Sequence, residues 1–414
     1  MTEPGAMGAS SRILILAPHP DDEALAVGGL LQRAIRMRAE IHLLFVTDGE
    51  NNPWAQRATE RRWRIAAADQ ERWRTRRRSE ALASLASLGV PASRATFLAF
   101  PDQGLTEMLM RGGGELLAAL RRTMERVRPT LLIAPDAYDL HPDHSALAVI
   151  ASLARATMDP RIPHPRALAF IVHSRRPRPR AELALRLTVE EHRRKRAAIL
   201  CHGSQLLCRR RTLLAHGDEP EEFIVTAPHA AQRGLHPVRP AMAEGGPLVL
   251  HISPRARLGA WGAIELRMIA VEDGAARAFA LRMPRRGDLA EIVTWRDAEV
   301  VARAAVERRR AATRVVVPAS LLAGSQTVFV KLERRHGFFD EAGWRGLLCP
   351  SAGDARARPF AAAGAAAPAG TALLDQPWSG ADGVTHTRME FGTPEDAWLG
   401  ISSALGAGRA EPLR

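Results

Sequence analysis

Apolar positions along this chain follow two different grammars. In the first half, short unbroken apolar runs alternate with segments of helical period. Residues 12–17 form one such run. Residues 22–37 follow it, with Ala24, Leu25, Val27, Leu30, Leu31, Ala34 and Ile35 on one broad face. Gly28 and Gly29 near the start of that helix suit a close approach to the sheet. Residues 41–47 make a second buried-type run, after which Asp48 and Gly49 turn the chain. Strands are then expected over 96–100, 131–134, 167–172 and 223–226, with helices over 80–88, 116–127, 145–158 and 188–202. Gly89, Val90 and Pro91 stop one helix, and Pro129 follows another. This alternation predicts an α/β, Rossmann-like fold: a mostly parallel sheet with helices on both faces over residues 12–228. Residues 1–11 carry no period and read as a leader without structure.

The grammar then changes. Residues 229–246 hold Gly-flanked turns and several prolines and read as a linker. Beyond them come short β-like runs at 248–252, 263–271, 278–283, 292–295, 313–317 and 328–332, divided by turn signals such as Glu272, Asp273 and Gly274. They predict a β-rich, sandwich-like accessory domain over 247–350. That domain holds no catalytic cluster, and no part in the chemistry is expected of it. Residues 351–414 open with an Ala/Gly/Pro-rich stretch and are expected to be a flexible or irregular tail.

Composition changes this picture only at its edges. At 414 residues, two domains are the natural prior. With 46% hydrophobic and 25% charged residues the chain is of the globular type. No apolar run approaches the ~20 residues of a membrane span. The N-terminus lacks the basic and apolar regions of a secretory signal. Three cysteines, Cys201, Cys208 and Cys349, do not make a disulfide framework, so a cytoplasmic setting is expected. The net charge of +13 is carried largely by Arg scattered through both halves. With only 5% aromatic residues to stack on bases, it reads as solvated surface rather than a nucleic-acid footprint. An acidic or phosphorylated small molecule is compatible with it. The stretch 53–78 interleaves Trp54, Trp63 and Trp73 with many arginines and reads as a partly solvated helix over the edge of the site.

Two strand ends carry the chemistry. The run 12–17 leads straight into Pro18, His19, Pro20, Asp21, Asp22 and Glu23, and the run 131–134 leads to His141, Pro142, Asp143 and His144. In an open α/β sheet, ligands bind at that edge. Asp21 and Asp22 are adjacent, so their side chains diverge: one can bind a cation while its neighbour faces a water. A turn leaving the strand can bring His19 and Asp22 to one ion, with Pro20 fixing the backbone between them. A capping Asp pair alone would leave His19 and Glu23 unexplained. His141 and His144 share one face of an incipient helical turn, and Asp143 can orient an imidazole. Two imidazoles, a carboxylate ligand, a spare carboxylate and a spare imidazole suffice for metal-assisted amide hydrolysis.

These two clusters resemble those of the PIG-L/LmbE family, the metal-dependent N-acetylglucosaminyl de-N-acetylases. Other matches fall in order: Thr47 to Glu50, Arg77 to Ala81, Pro101 to Leu105, and Lys195 to Gln205. The resemblance covers roughly residues 12–228. It implies His19, Asp22 and His144 as metal ligands, Asp21 as general base, and His141 as the group that stabilises the oxyanion and helps protonate the leaving amine. Asp143 joins the catalytic set. Arg77, with Arg78 beside it, would contact substrate, and Asp102 would shape the sugar site. His202 belongs to the late motif without an assigned role. Zinc is the implied cofactor, with ferrous iron the other candidate. The implied partner is a small amino-sugar conjugate whose N-acetyl group is hydrolysed to acetate and a free amine; the oligomeric state is left open. Two alternatives stand beside this: a catalytically silent glycan- or protein-binding module, and an amidase for another N-acyl group. The stretch 51–75 is longer and more basic than the family pattern leads one to expect.

Overall fold

A computed structural model describes residues 7–174, 181–226, 236–253, 265–284, 288–309, 312–333 and 339–349. The tail 351–414 lies outside the described residues. Of the leader, Met7 packs against the first core, and Gly8–Ser11 close a turn through Ser11 N–H to Gly8 O at 2.9 Å.

The first sheet is built from β1 (Arg12–Ala17), β2 (Glu40–Thr47), β3 (Ala95–Phe100), β4 (Leu131–Pro135), β5 (Arg166–Phe170), β6 (Leu183–Leu185) and β7 (Glu221–Val225). Their order is β3-β2-β1-β4-β5-β7-β6. The first five run parallel, and β7 joins β5 antiparallel. The central strands read as unbroken apolar runs because helices cover both faces; Ile13, Leu14, Ile15 and Leu16 are all fully buried. Odd members of β1 feed one core and even members the other. The chain leaves β1 for β2 on one side and returns to β4 on the other. The crevice between the C-terminal ends of β1 and β4 is therefore the switch point where open α/β sheets bind ligands.

The helices match the apolar periods with small shifts: α1 (Asp22–Arg36), α5 (Gly114–Val127), α6 (Pro142–Ala156) and α7 (Val189–Cys201). The basic stretch is two helices, α2 (Pro53–Glu60) and α3 (Ala67–Leu88), broken at Arg61, whose φ of 53° is left-handed. Two further helices escaped the sequence reading, α4 (Leu105–Met110) and α8 (Gly203–Ala215). The close approach at Gly29 is not to the sheet but to Leu187: a Cβ there would sit 2.2 Å from Leu187 Cδ2. Glu221 of β7 caps the same spot, accepting from the Gly29 and Leu30 N–H groups and from Lys195 Nζ.

The C-terminal part departs from the sandwich expected of it. Its strands are β8 (Val238–Met242), β9 (Leu248–Ile252), β10 (Glu265–Glu272), β11 (Ala275–Arg282), β12 (Leu289–Thr294), β13 (Val300–Arg308), β14 (Thr313–Val317), β15 (Thr327–Glu333) and β16 (Arg345–Leu348). They form one antiparallel sheet, β16-β15-β10-β11-β12-β13-β14-β9-β8, and β8 returns to pack on β15 and β16. Curling a single sheet onto itself encloses a core without a second layer, which is why alternating strands did not announce it. β8 falls inside the stretch read as a linker.

Nor is this sheet a detached appendage. β10 is buried on both faces. Leu266, Met268 and Ala270 point into the sheet's own core, while Ile269 and Val271 join the cluster formed by Leu14, Leu16, Leu147 and Ile150 of the α/β part. Trp344 is fully buried in the same shared cluster. Trp344→Ala should therefore lower the unfolding free energy by about 3–5 kcal/mol, the cost of emptying a large aromatic site. Urea unfolding followed by circular dichroism checks this; a loss under ~1 kcal/mol would mean the two sheets do not depend on that contact.

Candidate metal centre

The strand-to-helix turn after β1 places His19, Asp21 and Asp22 at the switch point. Pro18 O accepts from Thr47 N–H and from its hydroxyl, tying the end of β1 to the end of β2. Asp22 Oδ2 accepts from the His19 backbone N–H at 2.9 Å and so folds the turn on itself. Asp21 stands at φ 132°, a backbone region that a non-glycine residue rarely occupies. Glu23 secures it: Oε2 accepts from the Asp21 N–H at 2.9 Å, while Oε1 accepts from the Ser84 hydroxyl at 2.6 Å and faces His202 Nε2 at 2.7 Å. His202, left without a role by the sequence, thus braces the residue that holds Asp21's backbone.

On the other side, α6 begins at His141. Its Nδ1 accepts the N–H of Asp143 at 3.2 Å, and Pro142 occupies the first helical turn, where its missing donor costs nothing. His144 follows one turn in and is fully buried.

The two turns bring three donor atoms together. His19 Nδ1 lies 3.4 Å from Asp22 Oδ2 and 3.3 Å from His144 Nε2, and His144 Nε2 lies 3.3 Å from Asp22 Oδ2. Ligands about 2.0–2.1 Å from one tetrahedral zinc stand roughly 3.3–3.4 Å apart, so the triangle has the right size. The outer nitrogens are backed by carboxylates. Asp102 Oδ1 and Asp143 Oδ2 lie 3.2 and 3.3 Å from His19 Nε2, and Asp139 Oδ2 lies 3.3 Å from His144 Nδ1. Carboxylates behind metal-binding imidazoles fix ring orientation and raise ligand basicity. A ring nitrogen of His141 also comes within 4.8 Å of its counterparts on His19 and His144. The His141 Nδ1 is engaged by a backbone N–H, whereas Asp22 Oδ2 stands 3.4 Å from His19 Nδ1 and 3.3 Å from His144 Nε2.

Electrostatics favour a cation here. Burial opposes charge on every group, yet four carboxylates surround two imidazoles. Burial alone would lower His19, but Asp102, Asp143 and Asp22 hold it well above the usual range. His144 is likewise raised to about 10 by Asp22 and Asp139 against its burial. Asp22 is held well below the carboxylate range by His144 and His19, against its own burial. The pocket keeps protons on its imidazoles unless a divalent ion replaces them. His141 goes the other way: burial, then the neighbouring imidazoles of His19 and His144, push it well below the usual value. Its Nδ1 remains the acceptor for the Asp143 N–H. Asp21 is raised to about 6 by burial, with Arg77 pulling it back.

The remaining expected residues take supporting places. Arg77, implied as a substrate contact, is buried; it donates to Pro20 O and to Gly49 O and pairs with Asp21 Oδ2 at 3.3 Å. Gly49, at φ 63°, leaves that room, since a Cβ would lie 2.4 Å from Arg77 Nη1. Arg78 points elsewhere, gripping Asp48 through two bonds of 2.7 Å. Asp102 accepts from Asn51 N–H and Asp143 from Gln103 and Leu105 N–H, and both carboxylates lie against His19.

Residues 14–155 match a family model described as PIG-L: GlcNAc-PI de-N-acetylase. This segment, about a third of the chain, is thus similar to the PIG-L family. Among curated relatives, two are named 1D-myo-inositol 2-acetamido-2-deoxy-alpha-D-glucopyranoside deacetylase. The one from Mycolicibacterium smegmatis is 30% identical over 159 residues, covering 36% of this chain and 54% of the relative. The one from Nakamurella multipartita is 32% identical over 182 residues, covering 39% and 59%. The chain thus spans little more than half the length of the curated relatives it matches. Among solved structures, N,N'-diacetylchitobiose deacetylase from Pyrococcus horikoshii is 22% identical, with a TM-score of 0.40 over 52% of this chain and 84% of that one.

Three residues at the centre were missed in the sequence. Asp139 accepts from the His141, Val172 and His173 N–H groups besides backing His144; its signal was a second Asp just ahead of the His141 cluster. His173, just past β5, brings its ring centroid to 5.5 Å from His141 and 5.1 Å from His144. Phe339 arrives from the C-terminal sheet, which sequence spacing could not foretell.

His144→Ala should abolish tight binding of one divalent ion per chain. Asp139→Asn should weaken it about 10–100-fold, because the ring loses its backing charge. Zinc competition against a chromophoric chelator measures both, and unchanged affinity in either variant would contradict the ligand assignment.

Proposed function

We propose that this chain is a metal-dependent N-deacetylase of an N-acetylglucosamine-type conjugate, with His19, Asp22 and His144 holding the cation. Zinc fits the nitrogen-rich donor set, and ferrous iron is the other metal such a set accepts. The reading is carried by one juxtaposition: a zinc-sized triangle of donors with a separate carboxylate, Asp21, and a separate imidazole, His141, beside it. A cation bound there supplies Lewis acidity and eases deprotonation of water.

The residues of the chain do the rest. Asp21, held by Arg77 and by its braced backbone, accepts the proton of the attacking water. That water adds to the acetamide carbon. His141 donates a hydrogen bond to the oxygen as it gains negative charge. The C–N bond then breaks, and the proton taken by Asp21 passes to the departing nitrogen, giving acetate and a free amine. Asp102, Asp143 and Asp139 hold the imidazoles and do not meet substrate. Gly-x-Ser-x-Gly is absent, so no nucleophile elbow competes with this account. Among the described residues no helix is long and apolar enough to cross a membrane.

Asp21→Asn should keep its metal but lose about 10²–10⁴-fold in turnover, since only the proton acceptor is removed. Acetate release from N-acetylglucosamine conjugates, with and without a chelator, reads this out. Turnover at the wild-type rate would remove Asp21 from the mechanism. Tight metal binding with no hydrolysis of any N-acyl sugar would favour a silent binding module instead.

A further inference from the structure

The mouth of the centre holds a cation that the mechanism does not use. Arg209 sits where α8 leaves helical geometry, at φ −137° and ψ 26°. It is exposed, and its guanidinium lies 5.6 Å from the centre of the Phe339 ring. That ring in turn lies 5.9 Å from His141 and 5.1 Å from His173. Asp21 and His173 are both within electrostatic reach of Arg209. Among the described residues, Arg209 has no carboxylate at ion-pair distance. Arginines with structural work elsewhere in the chain do: Arg33 has Glu191, Arg77 has Asp21 and Arg78 has Asp48.

Phe339 is fixed from the C-terminal sheet. Asp340 beside it pairs with the fully buried Lys331 of β15 at 2.5 Å, and its N–H donates to Leu140 O, one residue before His141, at 2.9 Å. A guanidinium stacked on a fixed ring is oriented without being neutralised and keeps its forked donors for a planar or tetrahedral anion. Arg210 and Arg211 follow it in the chain, both exposed.

We propose that Arg209 is an anion-recognition residue at the mouth of the metal centre, positioned by Phe339, and that the substrate is an N-acylated amino sugar bearing a phosphate or carboxylate. This rests on the deacetylase reading above. It also gives the C-terminal sheet a part in substrate choice.

The test compares metal-loaded full-length protein on N-acetylglucosamine, its 1-phosphate, its 6-phosphate and N-acetylmuramic acid. Calorimetric binding of glucose 1-phosphate against glucose is the second readout. Wild type should show a KM at least ten times lower for a charged sugar than for the neutral one, with the gap shrinking as salt rises. The phosphates and the carboxylate distinguish the two anion sources. Arg209→Gln should raise KM for the charged sugar at least five times more than for the neutral one, with kcat changed much less, and should weaken glucose 1-phosphate binding about tenfold. Arg209→Lys should recover part of this. Phe339→Leu should mimic the loss and Phe339→Tyr restore it. Equal KM values in wild type, or equal loss on neutral and charged sugars in Arg209→Gln, would overturn the proposal. Arg209-dependent binding of glucose 1-phosphate without hydrolysis of any N-acetyl sugar would support the anion site and sink the deacetylase reading.

Discussion

The structure turns on an imbalance of charge at the switch point of a parallel sheet. Two buried imbalanced imidazoles, His19 and His144, stand among Asp22, Asp102, Asp139 and Asp143, with little water to screen them. Buried carboxylates in excess are costly unless positive charge joins them. Protons on the imidazoles answer this in the bare chain, and a divalent ion answers it better. Much of the local backbone serves that requirement. N–H groups of Asn51, Gln103, Leu105, Val172 and His173 all point at these carboxylates.

The same constraint separates two adjacent carboxylates. Asp21 is one residue from Asp22 yet belongs to a different network, formed by Arg77, Glu23, Ser84 and His202. Its backbone stands at φ 132°. Adjacent carboxylates thus enter separate networks, and the hydrogen bonds of Glu23 offset the backbone strain at Asp21.

How much of this was legible in the sequence depends on how local the cause was. Unbroken apolar strands, helical periods and the Gly89 stop are local, so most elements up to Val225 stand within a few residues of their expected bounds. The two motifs are local as well, and the fold brings His19, Asp22 and His144 to one point. The burial of Arg77 is not local; it depends on Gly49 leaving space across the turn. The closure of the second sheet depends on β8 meeting β15 and β16, which no strand reveals by itself. The apolar run of β10 did carry a signal. Its buried members on both faces meant a second partner, and that partner is the α/β core.

The central claim is that one cation is held by two distant turns through two imidazole nitrogens and one carboxylate oxygen. X-ray absorption at the zinc edge of the zinc-loaded protein tests it most directly. The account predicts only nitrogen and oxygen neighbours at about 2.0–2.1 Å, with the scattering pattern of two imidazoles, reduced to one in His19→Ala. Sulfur neighbours at about 2.3 Å, or an imidazole count unmoved by His19→Ala, would contradict it.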